Sequence, residues 1–143
     1  MAPLIEALGD EARLVRLSSL TALRELTGMT IAGNRHRWRV WHADQLAWWE
    51  HEGQRLAASL PNVTRGELIE TLASVASRRL YRKELSVQLV TLLSAAEPDE
   101  VCAVLAALGS LRELSAVPHI KALSEHPDAE IRARASATLR SLR

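Results

Sequence analysis

Four tryptophans fall between positions 38 and 49, in the stretch RWRVWHADQLAWWEHEG (37–53), and the 143-residue chain has no phenylalanine. Indole rings at this density could stack nucleic-acid bases, dock a partner helix or fill a core. Arg35, Arg37 and Arg39 interleave with the first rings, which is the pairing a base-stacking site would use. A second basic knot is Arg78, Arg79, Arg82 and Lys83. The five histidines are His36, His42, His51, His119 and His126. His51-Glu52 has no second histidine one helical turn on, so it does not read as a zinc helix. Cys102, the single cysteine, lies in EVCAVLAAL, where a thiol reads as a small buried hydrophobe. The chain holds no glycine-rich phosphate loop and no nucleophile elbow. No catalytic residue, cofactor or metal site is assigned on this reading, and the chain is not expected to be an enzyme.

A helix is needed to position the rings. Asn34 follows a glycine, and nothing from about His36 to Glu52 breaks a helix. At about 100 degrees per residue the four rings share an arc of about 100 degrees, with Ala43, Asp44, Ala47, Glu50 and His51 opposite. An apolar stripe this wide faces inward, so Trp38, Trp41, Trp48 and Trp49 are assigned to the structural core, with Trp41 and Trp49 expected deepest. His42, Gln45 and Glu52 interrupt the arc, which argues against a helix lying in a membrane surface.

Composition bounds the rest. Apolar residues make up 48% and charged residues 24%, an ordinary soluble balance. Leu and Ala dominate over β-branched residues, which favours helix. The net charge of +1 argues against nucleic acid as a partner. One cysteine excludes an internal disulfide framework. MAPLIEALGDEAR has no basic leader, and no apolar run reaches the ~20 residues that span a bilayer. The expectation is one cytoplasmic domain over 1–143, without a membrane partner.

The elements form a series. PLIEAL (3–8) precedes a polar turn and a helix to Leu26; Thr64 with Glu67 suggests a capping box before two helices. Pro98-Asp99 opens a helix to Leu108, Ser115 is a cap candidate ahead of Pro118, and Asp128 caps a helix to Leu142. Seven or eight helices are expected in all. PLIEAL parallels PHIKAL (118–123), and VRLSSLTALREL parallels IRARASATLRSL in apolar register. Repeat-like units fall at about 3–27, 64–96, 98–125 and 115–142, with a tryptophan-rich insertion over 34–60. Self-similarity on a period of ~30 residues marks stacked helical hairpins.

The run from Val-Arg through AVPHIKAL to HPDAEIR resembles the bacterial HEAT-like repeats, including those of phycobilisome lyase subunits. The match is closest over 98–143, present over 3–26 and faint over 64–96. Cys102 stands near the family's usual repeat arginine, so the Asp–Arg ladder of such proteins is broken there. The resemblance implies an all-α fold, a short α-solenoid with a tryptophan-rich inserted helix, acting as a non-catalytic scaffold for another protein. Arg16, Arg132, Arg134 and Arg140 on second helices are the candidate contacts, with the knot Arg78, Arg79, Arg82 and Lys83 as a basic rim. Arg16 and Arg132 have an internal alternative, pairing with Asp10 and Asp128. Two other readings stand: a nucleic-acid-binding protein of the DNA-glycosylase kind, and a self-assembling piece of a longer solenoid.

Overall fold

The computed structural model describes residues 1–94 and 97–142. The last two residues of the expected 64–96 unit and the last residue of the 98–143 resemblance lie outside the described residues. The described chain is helical throughout and contains no strand. Its nine α-helices are α1 (Ala2–Glu6), α2 (Arg13–Thr27), α3 (Arg35–Trp48), α4 (Gln54–Ser59), α5 (Arg65–Ala76), α6 (Arg82–Leu92), α7 (Pro98–Leu111), α8 (Val117–Ala122) and α9 (Ala129–Ser141). A π-turn, Trp49–Gly53, follows α3 within the helix expected to reach Glu52, and the short α4 beyond it was not expected. The chain divides into two compact units, Met1–Gly53 and Gln54–Arg143.

In the first unit α1 packs on both α2 and α3. The core is Ile5, Leu8, Leu23 and Trp38, with Leu4, Leu20 and Trp41 among the partly buried residues against it. Gly28 ends α2 at φ 71°, a left-handed conformation that glycine adopts without a Cβ clash. Thr27 Oγ1 donates to Leu23 O (2.7 Å) and accepts from the Met29 N–H (3.1 Å), so the chain leaves α2 in a fixed direction. Asn34 then caps α3, its side chain accepting from the Arg37 N–H at 3.0 Å.

In the second unit α7 is the central helix, packed against α5, α6 and α9. Seven of its positions are buried, from Val101 to Leu111, because apolar residues occupy nearly all sides of it. It opens with a reciprocal capping box: the Glu97 side chain accepts from the backbone of Glu100, whose own carboxylate accepts from the Glu97 N–H at 2.9 Å. The box expected at Thr64 and Glu67 is different in kind: Thr64 Oγ1 donates to Glu67 Oε2 (2.7 Å), and Thr64 makes no side-chain cap bond. The helix expected to end near Gly109 runs on to Leu111, and Arg112 closes it at φ 55°. Gly109 instead serves close packing: a Cβ there would stand 3.2 Å from Ser141 Oγ and 3.3 Å from Thr138 Cγ2, so the α7 backbone meets the α9 side chains directly. Ser115 is not the cap before α8; Glu113 accepts from the Ser115 N–H at 3.2 Å.

The hairpins α1–α2 and α8–α9 are built alike at their turns. Asp10 Oδ1 accepts from the Ala12 N–H (2.8 Å), and His126 Nδ1 accepts from the Asp128 N–H (3.1 Å). Ala12 and Asp128 are the N-cap residues of α2 and α9. Arg16 Nη1 donates to Asp10 O (2.7 Å) and Glu11 O (2.8 Å); Arg132 Nη1 donates to His126 O (2.7 Å) and Pro127 O (2.7 Å). Each guanidinium thus clamps two carbonyls of the turn before its own helix.

Candidate functional site

The tryptophans come first. Trp38 is completely buried, while Trp41, Trp48 and Trp49 are each half-buried. The expectation that Trp41 and Trp49 lie deepest is therefore corrected: Trp38 does, because it is the ring that meets Ile5, Leu8 and Leu23 of the α1–α2 hairpin. Trp38 Nε1 donates to Ala32 O at 3.0 Å, which satisfies the one polar atom the ring carries inward. Trp41 stands edge-on to it, with ring centroids 5.6 Å apart at 82°. Trp48 and Trp49 form a second, tilted pair 6.1 Å apart. They fold over Gly53, where a Cβ would stand 2.5 Å from Trp49 Cε3 and 2.7 Å from Trp48 Cζ3. Gln45 lies in the centre of the tryptophan arc and is buried with it.

His42 is half-buried at the border of the arc. Desolvation by its surroundings, with a smaller push from the Met1 amine, lowers its pKa from the ordinary 6.5. A histidine whose folded value is depressed resists protonation that the unfolded chain accepts. Stability is then greatest above about pH 6.5 and falls as pH drops from there through the folded value. The expected result is an unfolding free energy of the first unit that declines as pH falls below about 6.5, and a shallower decline in His42→Gln. Denaturant titrations at four or five pH values check this; parallel curves for both proteins would refute it. Glu6 acts in a lower window. Its hydrogen bond to Arg39 holds its carboxyl below the ordinary 4.5, so its contribution persists above that value and is lost as pH falls through the folded one.

The basic residues are largely engaged inside the fold. Arg39 grips both oxygens of Glu6, through Nε (2.8 Å) and Nη2, and Arg35 lies 3.8 Å from the same carboxylate. Of the candidate contacts, Arg16 and Arg132 clamp turns, as described. They bond backbone carbonyls rather than the Asp10 and Asp128 carboxylates, which accept from the Ala12 cap amide and from the Glu130 and Ile131 helix amides. Arg79 Nε donates to Ser110 O (2.7 Å), and burial lowers its pKa. Arg82 lies 3.3 Å from the buried carboxylate of Glu113. Arg78 is half-buried. Lys83, Arg134 and Arg140 are exposed. The Cys102 thiol is buried, and desolvation, then Glu130, pushes its pKa up, so it is not poised as a nucleophile. Among the described residues no group of three or more His, Cys, Asp or Glu could hold a metal ion, and no helix is long and apolar enough to cross a membrane.

Sequence reasoning missed an apolar groove of about 420 Å³ between α8 and α9, lined by Val117, Lys121, Ser124, Glu125, Leu139 and Leu142. The signal for it was present in the parallel of PLIEAL with PHIKAL, which sets Lys121 opposite Glu6. It was also unrecognised that Glu113 is a buried acid, because a lone glutamate in LRELS carries no mark of its partner.

No family model, curated protein or solved structure matches this chain.

Proposed function

We propose that the protein is a helical-repeat interaction module, HEAT-like in construction, whose stacked hairpins hold another protein on their surface. The observation that carries this reading is the duplicated turn. Asp10 and His126, Ala12 and Asp128, and Arg16 and Arg132 make the same three kinds of contact, each pair separated by 116 positions. One turn design used twice in a chain is what a repeat produces, and repeat arrays serve mainly as extended binding surfaces. Exposed cations at Lys83 and Arg140 and exposed apolar side chains at Leu14, Leu17, Ile69 and Val87 supply contact chemistry.

The nucleic-acid reading has less support. Arg16, Arg39, Arg79, Arg82 and Arg132 spend their guanidinium groups on carbonyls and carboxylates of the fold. A photo-crosslinking residue placed at Lys83 or Arg140 is expected to trap a discrete protein in cells of the source. Duplex DNA is expected to bind weakly and to be released as salt rises. A sub-micromolar complex with DNA that survives raised salt would replace the scaffold reading.

A further inference from the structure

The α1–α2 hairpin carries a helix, α3, and the α8–α9 hairpin carries an open groove. In the first, Trp38 of α3 seats on Ile5, Leu8 and Leu23. α8 with its turn, Val117–Glu125, is one residue longer than α1 with its turn, Ala2–Gly9, so the helix starts match with Ile120 at Ile5 and Lys121 at Glu6, while the turns and second helices match with Ser124 at Leu8 and Leu139 at Leu23. Leu23 is fully buried beneath its tryptophan, while Leu139 is half-exposed and lines the 420 Å³ groove. Ser124 lines it with a small side chain. No described residue fills it.

The charges say what would fit. On α1, Glu6 takes the two-pronged grip of Arg39, the residue after the seated tryptophan. Lys121 stands there in α8, so a helix lying on α8–α9 needs a carboxylate after its bulky residue, where α3 has an arginine. One turn earlier, Arg35 rides over Gly9; a Cβ on Gly9 would come within 2.6 Å of Arg35 Nη1. Glu125 holds the Gly9 place in the second hairpin. A cation at the Arg35 place is therefore retained, and now has a carboxylate to meet. We propose that the α8–α9 groove is a docking site for an amphipathic helix of a partner protein that carries a base, then a bulky apolar residue three positions on, then an acid directly after it. The bulky side chain lies over Leu139 and Ser124, the acid meets Lys121 and the base meets Glu125. This deepens the interaction-module reading, and it rests on the equivalence of the two hairpins.

The protein's own α3 supplies the probe. A helix-stapled peptide of residues 34–48 with Arg39→Glu has the required order of base, ring and acid, and the unchanged peptide is its control. By fluorescence anisotropy on the full chain, the Arg39→Glu peptide is expected to bind about five- to tenfold more tightly than the control, the scale of one exposed ion pair made against one opposed. Lys121→Glu, an exposed change that leaves the helices intact by circular dichroism, is expected to reverse that preference. Leu139→Asp is expected to abolish both complexes; Ser124→Leu fills the groove without a buried charge and serves if Leu139→Asp unfolds. Absence of binding by either peptide, or a preference unmoved by Lys121→Glu, overturns the proposal. So does a concentration-dependent dimer broken by Lys121→Glu, which would assign the groove to a second copy. In each of these cases a protein still trapped from Lys83 or Arg140 would leave the module reading standing.

Discussion

Replacing Trp38 by alanine is expected to lower the stability of the first unit by about 3–5 kcal/mol, the range for deleting a large buried aromatic side chain. The ring is 0% exposed and meets Ile5, Leu8 and Leu23, so its removal takes apolar surface out of contact on three sides. It also leaves Ala32 O without the Nε1 donor now at 3.0 Å, and strips Trp41 of its edge-on neighbour. Ala32 is exposed, so water can take the place of the lost donor, and the lost apolar contact sets most of the expected value. Trp38→Phe separates the terms: most of the volume returns, the hydrogen bond does not, and a loss of about 1–2 kcal/mol is expected. Trp41→Ala removes a half-buried ring and should cost less than Trp38→Ala. Denaturant unfolding with hydrogen exchange over residues 1–53 measures each. Equal losses for Trp38→Ala and Trp41→Ala would mean that the α1–α2 hairpin is not the surface on which α3 is seated.

The helical wheel identified the inward face of α3 because that face depends only on spacing, and spacing is written in the sequence. Gln45, His42 and the four tryptophans lie on it in the structure, while Val40 and Leu46 outside it are exposed. Depth was not legible. It depends on which part of the arc meets Leu23 and Ile5, and those residues are set by a hairpin that the wheel of one helix does not contain. Turn chemistry shows the same division. Asp128 was recognisable as a cap from its place after proline, and its carboxylate does accept from the Glu130 and Ile131 amides. That duty leaves the acid spoken for, so Arg132 turns to the carbonyls of His126 and Pro127 instead. The alternative Arg–Asp pairing is not made because two acceptors and two sets of donors compete within six residues, and local helix amides win over a long flexible side chain. Glu113 and Arg82 lie 31 positions apart, so nothing local announced their 3.3 Å contact. The α8–α9 groove was half legible: the charge inversion of Glu6 to Lys121 is visible in two aligned hexapeptides, but an open face is known only when the neighbours are placed.

Leu105→Ala is expected to cost the second unit about 4–5 kcal/mol, near the top of the range for a buried leucine. Leu105 is fully buried in the middle of α7, the helix against which α5, α6 and α9 all pack. The cost of such a deletion depends on whether the surroundings can close the cavity. Here they cannot close it from the α9 side. Gly109, one turn on, already brings α7 and α9 to a separation at which an added Cβ would stand 3.2 Å from Ser141 Oγ. Leu105 O also accepts from Thr138 Oγ1 at 3.3 Å, and Thr138 is buried, so a shift of α9 toward the cavity would disturb that bond. Ile69→Ala on α5 is the contrast: its side chain is 59% exposed, and surface truncations of this kind change stability by about 0.5 kcal/mol. Leu105→Met restores most of the volume on a flexible stem and should recover all but about 1.5 kcal/mol. Denaturant unfolding of the three variants, with hydrogen exchange over residues 54–142, reads these differences directly. A Leu105→Ala loss below about 2 kcal/mol would show that α9 follows the cavity inward, and that the close approach at Gly109 does not fix the distance between the two helices.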